Sequence, residues 1–259
     1  MSGQPPRERE IGFTSELGLS VEVEGDTLVG DARAVPELCI PEAGVVRPSV
    51  LTAWADTLAG SLATERTLPR VCMSVDLDAR IGQQIQAGAT VHAVGRVLKT
   101  GRVLTFTETE FTVKGSAEVA AIVLGTFVAS PRPQDVADSF VTQVTEGSIR
   151  RRKNPGPTVP ITEILGAAVV EPGVVVAERH PRILNWVETV QGGAVSLLAE
   201  EAALSLPNVA VPTELEVRYL RTIREGPMRA TAQRLGDFIR VGVIDKGADD
   251  RLAAVAILR

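Results

Sequence analysis

The chain has 259 residues, an apolar share of 44% and a formal net charge of -5. That supplies a real core for one large or two ordinary domains, while the acidic balance argues against nucleic acid as a partner, which needs an excess of Lys and Arg. Cys39 and Cys72 are its two cysteines, too few for a disulfide framework or a metal-ligand cluster, so no metal is expected and a reducing cytoplasm is the expected setting. The opening MSGQPPREREIGF lacks an apolar h-region, and no run of about 18 apolar residues occurs, so neither secretion nor membrane spanning is expected.

In chain order, residues 17–23 (LGLSVEV) open an apolar run that continues after a short turn. Residues 49–63 are dominated by Ala, Leu and Val and predict a helix buried on most sides. Residues 76–80 read Asp-Leu-Asp-Ala-Arg, and Gly88 follows. Strands are predicted over 90–97, 102–113 and 117–130, rich in Val, Thr and Phe and separated by turn residues. Residues 131–160 read as a linker, with a short helix over 135–143 and a polar, breaker-rich stretch over 150–157.

The same plan then starts again. Residues 165–171 (LGAAVVE) match the opening, 193–206 predict a second buried helix, and 214–218 (Glu-Leu-Glu-Val-Arg, with Gly226 following) match 76–80. Strands follow over 228–235, 237–245 and 251–258. A helix followed by antiparallel strands, twice, predicts an α+β chain with repeats at 1–130 and 161–259.

One constellation carries chemistry: Asn185, Gln191, Gly192, Gly193 and Glu200. With the helix starting at the glycines, Glu200 lies about two turns inside an apolar segment, where a carboxylate needs a reason. Adjacent glycines let a substrate approach the backbone, and the unpaired N–H groups at the positive helix end can hold an oxyanion. A thioester hydrolase needs that hole and a carboxylate that attacks the carbonyl or activates water.

The layout Asn-x5-Gln-Gly-Gly-x6-Glu resembles the active-site region of hotdog-fold thioesterases related to 4-hydroxybenzoyl-CoA thioesterase and the phenylacetate-pathway (PaaI-like) thioesterases. The resemblance implies a double hotdog, with two antiparallel sheets each wrapped around a long central helix. It also implies an acyl-CoA or acyl-carrier thioester as substrate and no cofactor beyond the CoA that the substrate carries. In that family a His-Gly-Gly-like turn opens the helix and an acid nine residues after the His is the nucleophile or general base. By that correspondence Glu200 takes the acid's place, Gly192 the oxyanion donor's and Asn185 that of an upstream polar residue, while Gln191 replaces His. In the first repeat Arg47 and Asp56 keep the same spacing, but Pro48 stands where Gly192 stands and has no N–H to donate. Glu200 with Gly192 is therefore expected to carry the activity, and Asp56 to matter less unless it reaches across to the other site.

Gln191, Gly193, Trp186 and Trp54 are candidates for contact with substrate, with core packing the alternative for both tryptophans. Glu200 adjoins Glu201, so one of the two can simply face solvent; Asn185 can be a turn residue. His92 and His180 read as ordinary strand and loop residues, and the run 150–153 as a solvated charge cluster. The rival functions are a noncatalytic acyl-CoA binder or regulator and a hotdog hydratase or dehydratase. The Asp with His five residues later that marks the hydratases is missing, since Ala87 precedes His92 and Val175 precedes His180. The aromatic share of 3% favours an aliphatic acyl pocket. The two repeats are expected to pack as a pseudo-dimer with a continuous sheet, and a homodimer of such chains fits the family.

Overall fold

The computed structural model describes residues 12–130, 155–185 and 187–259. In chain order the first half runs α1 (Gly12–Glu16), β1 (Ser20–Glu24), β2 (Thr27–Arg33), β3 (Cys39–Ile40), β4 (Val45–Val46), α2 (Pro48–Glu65), β5 (Cys72–Ile81), β6 (Thr90–Thr100), β7 (Leu104–Val113) and β8 (Val119–Ala129). The second runs α3 (Ile161–Leu165), β9 (Ala168–Glu171), β10 (Val174–Ala177), α4 (Gly192–Leu204), β11 (Glu214–Tyr219), β12 (Met228–Leu235), β13 (Phe238–Asp245) and β14 (Arg251–Leu258). Most of the expected linker, 131–154, lies outside the described residues, including the short helix expected over 135–143 and the charge run 150–153.

Twelve strands form one sheet in the order β1-β2-β6-β7-β8-β5-β11-β14-β13-β12-β10-β9. Counted outward from the middle, both halves give the same order, with β5 and β11 innermost. The two sheets expected from the sequence are thus joined into one. The joint is the duplicated acid-Leu-acid-x-Arg motif paired antiparallel with its own copy, so that Arg80 faces Glu214 and Arg218 faces Asp76. Alternation sends Leu77, Ala79, Leu215 and Val217 to the buried face beneath the helices, leaving the charges on the other. There Arg80 pairs with Asp78, Glu214 and Glu216, and Arg218 with Glu216 and Asp76. These pairs are half-exposed, so they specify register more than they add stability.

Leu17-Gly18 and Leu165-Gly166, expected to open the apolar runs, lie outside the strands, which start at Ser20 and Ala168. They close the short helices α1 and α3, because Gly18 and Gly166 both sit at φ 70°, the left-handed conformation that ends a helix and that a side chain disfavours. Helix α2 starts on Pro48, where a missing N–H leaves no intrahelical bond unmade. Gln191 caps α4 by accepting the Gly193 N–H with its side chain (2.5 Å).

The two helices cross where Gly193 meets Ala53: a Cβ on Gly193 would lie 2.4 Å from that of Ala53. Gly193 therefore serves helix packing, and it is not among the residues that line the cavity described below. We expect Gly193→Ala to cost about 1 to 3 kcal/mol of stability by overpacking this crossing; an unchanged urea midpoint would show that the helices separate freely.

Candidate active site

The crossing is reciprocal. The start of α4 meets the middle of α2, and the start of α2 meets the middle of α4. Each helix start is thereby supplied with a carboxylate from the other repeat, and the two resulting environments differ.

At the first, Asp56 of α2 receives a hydrogen bond on Oδ2 from Gln191 Nε2 (2.7 Å) and one on Oδ1 from Ser74 Oγ of β5 (2.5 Å). Oδ2 also lies 3.5 Å from the point where a Gly192 Cβ would stand, and Tyr219 of β11 lies 3.3 Å from that point. As the first residue of α4, Gly192 has no intrahelical acceptor for its N–H, which meets no other among the described residues. Asp56, Ser74, Asn185, Gln191, Gly192 and Tyr219 share the wall of one cavity of about 370 Å³, within the range of small-molecule sites.

Burial pushes the Asp56 carboxyl up to about 6, against the pull of the hydrogen bonds from Ser74 and Gln191. It is thus ionised at neutral pH yet basic enough to take a proton. Burial and the neighbouring Asp56 charge push the Tyr219 hydroxyl up, so it remains a hydrogen-bond donor. Cys72 shares the wall, but burial pushes its thiol up, which disfavours the thiolate needed for attack.

At the second environment Arg47 stands in the place of Gln191. Its Nη1 donates to Glu200 Oε2 (3.0 Å) and Glu201 Oε1 (2.5 Å), and its Nε to the Cys39 carbonyl (3.2 Å). Glu200 also accepts from the Ser49 N–H (3.2 Å) and Ser49 Oγ (2.8 Å), and its side chain is 0% exposed. Burial works against the Arg47 charge, but the two glutamates outweigh it and hold the guanidinium protonated. The acid here is sealed, held by Arg47 and Ser49, and away from the cavity wall.

The expected pairing of Glu200 with the Gly192 N–H is therefore not what the structure brings together. Residues eight apart on one helix are about 12 Å apart along its axis, so Glu200 cannot serve the first N–H of its own helix. Asp56 crosses over to Gly192 instead, as the sequence left open. Asn185 lines the cavity, but its side chain is spent on a turn, accepting from the Val187 and Thr189 N–H groups and donating to Thr189 Oγ1. Trp54 is fully buried, donates to the Leu17 carbonyl (3.0 Å) and is no part of the cavity wall, so it is a core residue. Trp186 lies outside the described residues. Ser74 and Tyr219 escaped the sequence reading. Tyr219 had a signal, being the single tyrosine of the chain and directly following the Arg218 landmark.

A mostly antiparallel sheet with few helices is consistent with the fold of the solved thioesterases that superpose on this chain. Among solved structures, an acyl-ACP thioesterase from Bacteroides thetaiotaomicron superposes with a TM-score of 0.62 at 11% identity, covering 90% of this chain and 97% of that one. The 12:0-ACP thioesterase from Umbellularia californica gives 0.60 at 11% identity, covering 92% and 98%. No model of a known protein family matches the chain. Among curated proteins, human (Homo sapiens) PDZ and LIM domain protein 3 is 28% identical over 153 residues, which is 58% of this chain and 41% of that protein. Among the described residues no helix is long and apolar enough to cross a membrane.

Proposed function

We propose that the chain is a thioester hydrolase acting on an acyl-CoA or acyl-carrier thioester, built as a tandem double hotdog with repeats at 1–130 and 161–259. The observation that carries this reading is the meeting, in one cavity, of a buried carboxylate and a helix-start N–H that has no partner among the described residues, the two coming from opposite repeats. The thioesterases that share the fold support the reaction class; they leave the acyl group open.

In this reaction the thioester carbonyl oxygen accepts the Gly192 N–H. Asp56 takes a proton from a water molecule as that water's oxygen bonds to the carbonyl carbon. The tetrahedral oxyanion, held by Gly192 and the positive end of α4, collapses and expels the thiolate. Asp56 returns its proton to the departing thiolate and is ionised again, and the acid product and the free thiol leave. Gln191 holds the Asp56 carboxylate against the helix start and, being an amide, carries no titratable proton of its own.

The test is release of free thiol across a series of acyl-CoA and acyl-carrier substrates. Because Asp56 acts ionised, kcat/KM should rise about tenfold per pH unit below about pH 6 and level off above it. Absence of turnover on every substrate would refute the proposal, and a pH-independent rate between pH 5 and 8 would remove Asp56 as the base.

A further inference from the structure

Glycine at the first position of a helix leaves the oxyanion donor on the least constrained backbone available. The Gly192 N–H lies in the peptide plane it shares with the Gln191 carbonyl, and the plane after it limits how far that one can turn about the two soft dihedrals of Gly192. The plane before it is fixed through the Gln191 carbonyl, which accepts from the Ala194 (3.0 Å) and Val195 (3.2 Å) N–H groups. The plane after it is gripped at both ends. Its N–H, that of Gly193, donates to Gln191 Oε1, and its carbonyl, that of Gly192, accepts from Tyr219 Oη (3.1 Å) and Ser196 Oγ (3.1 Å). The two hydroxyls also touch each other at 2.7 Å, so two protons are shared among three oxygen–oxygen contacts.

The lock has no copy in the first repeat. There Pro48 stands for Gly192, Thr52 for Ser196, and Ile81 for Tyr219, and Thr52 Oγ1 turns to the Ser49 carbonyl (2.8 Å) instead. The hydroxyl pair thus occurs only in the half whose helix start keeps a donor N–H. Tyr219 is also the last residue of β11, the strand at the joint of the sheet. The lock therefore ties the start of α4 to the most central part of the scaffold.

We propose that Tyr219 and Ser196 are positioning residues that fix the Gly192 N–H in its oxyanion-binding orientation. This rests on Gly192 being the oxyanion donor of the proposed reaction.

The experiment compares Tyr219→Phe, Ser196→Ala and the double variant of the full chain, by steady-state kinetics, thermal melting and amide exchange at Gly193. Each single change is expected to lower kcat about tenfold, a fraction of the loss expected for deleting an oxyanion donor. KM should stay within about twofold and the pH 6 limb should not move. The double variant should be little worse than either single one, because both hydroxyls act on one carbonyl. Gly193 exchange should quicken. Wild-type kcat in Tyr219→Phe, a rise in KM at constant kcat, or losses that track melting temperature would each overturn the lock. Were the wild type to show no thioester turnover, the proposed hydrolysis would fall, and unchanged Gly193 exchange in Tyr219→Phe would still overturn the lock separately.

Discussion

Asp56→Asn should abolish nearly all turnover while making the protein more stable. The activity loss expected for removing the base is about 100- to 10,000-fold. The gain in stability follows from the raised pKa. In the unfolded chain Asp56 ionises near its ordinary value of 3.8, whereas in the fold it ionises near 6. Ionisation is harder in the folded state, so the native protein pays nothing below about pH 4 and loses stability as pH rises through 6. Above that the full cost is at most about 3 kcal/mol. Asn avoids it and keeps its partners, since its oxygen can accept from Gln191 Nε2 and its amide can donate to Ser74 Oγ. Melts at pH 8 and pH 4 check this: the variant should melt higher than wild type at pH 8 and level with it at pH 4. A variant that retains turnover would remove Asp56 from the chemistry, and one that melts lower at pH 8 would show that its charge is better compensated than the geometry implies.

Glu200→Gln should do the reverse, sparing turnover and destabilising the fold. Removing one partner of a buried ion pair leaves the other charge underpaid in a place water cannot reach, a loss of about 3 to 5 kcal/mol. Glu201 still faces Arg47, so the lower figure is expected. For a chain of this size that corresponds to roughly 6 to 12 °C in melting temperature. Replacing Arg47 as well, as in Arg47→Met with Glu200→Leu, should recover most of the loss, since an apolar pair of similar volume leaves no unpaired charge. Turnover lost in Glu200→Gln at a temperature where the variant is folded would return the chemistry to the second helix.

These opposed outcomes mark the division between sequence and structure. The two buried helices, the strands that follow each, and the duplicated acid-Leu-acid-x-Arg motif were legible from periodicity and composition, because those signals are local. So was the inequality of the helix starts, since proline lacks a donor wherever it sits. The Leu-Gly pairs at 17–18 and 165–166 open the apolar runs in the sequence but close helices in the fold, and only φ shows it. Which acid meets which donor was not legible, because the sequence sets Glu200 beside Gly192 and puts Asp56 135 positions from Gln191. A rigid helix keeps residues eight apart at about 12 Å, while the crossing at Ala53 and Gly193 brings Asp56 within 2.7 Å of Gln191. Local spacing specified the parts of the site, and the packing of one repeat against the other decided how they combine.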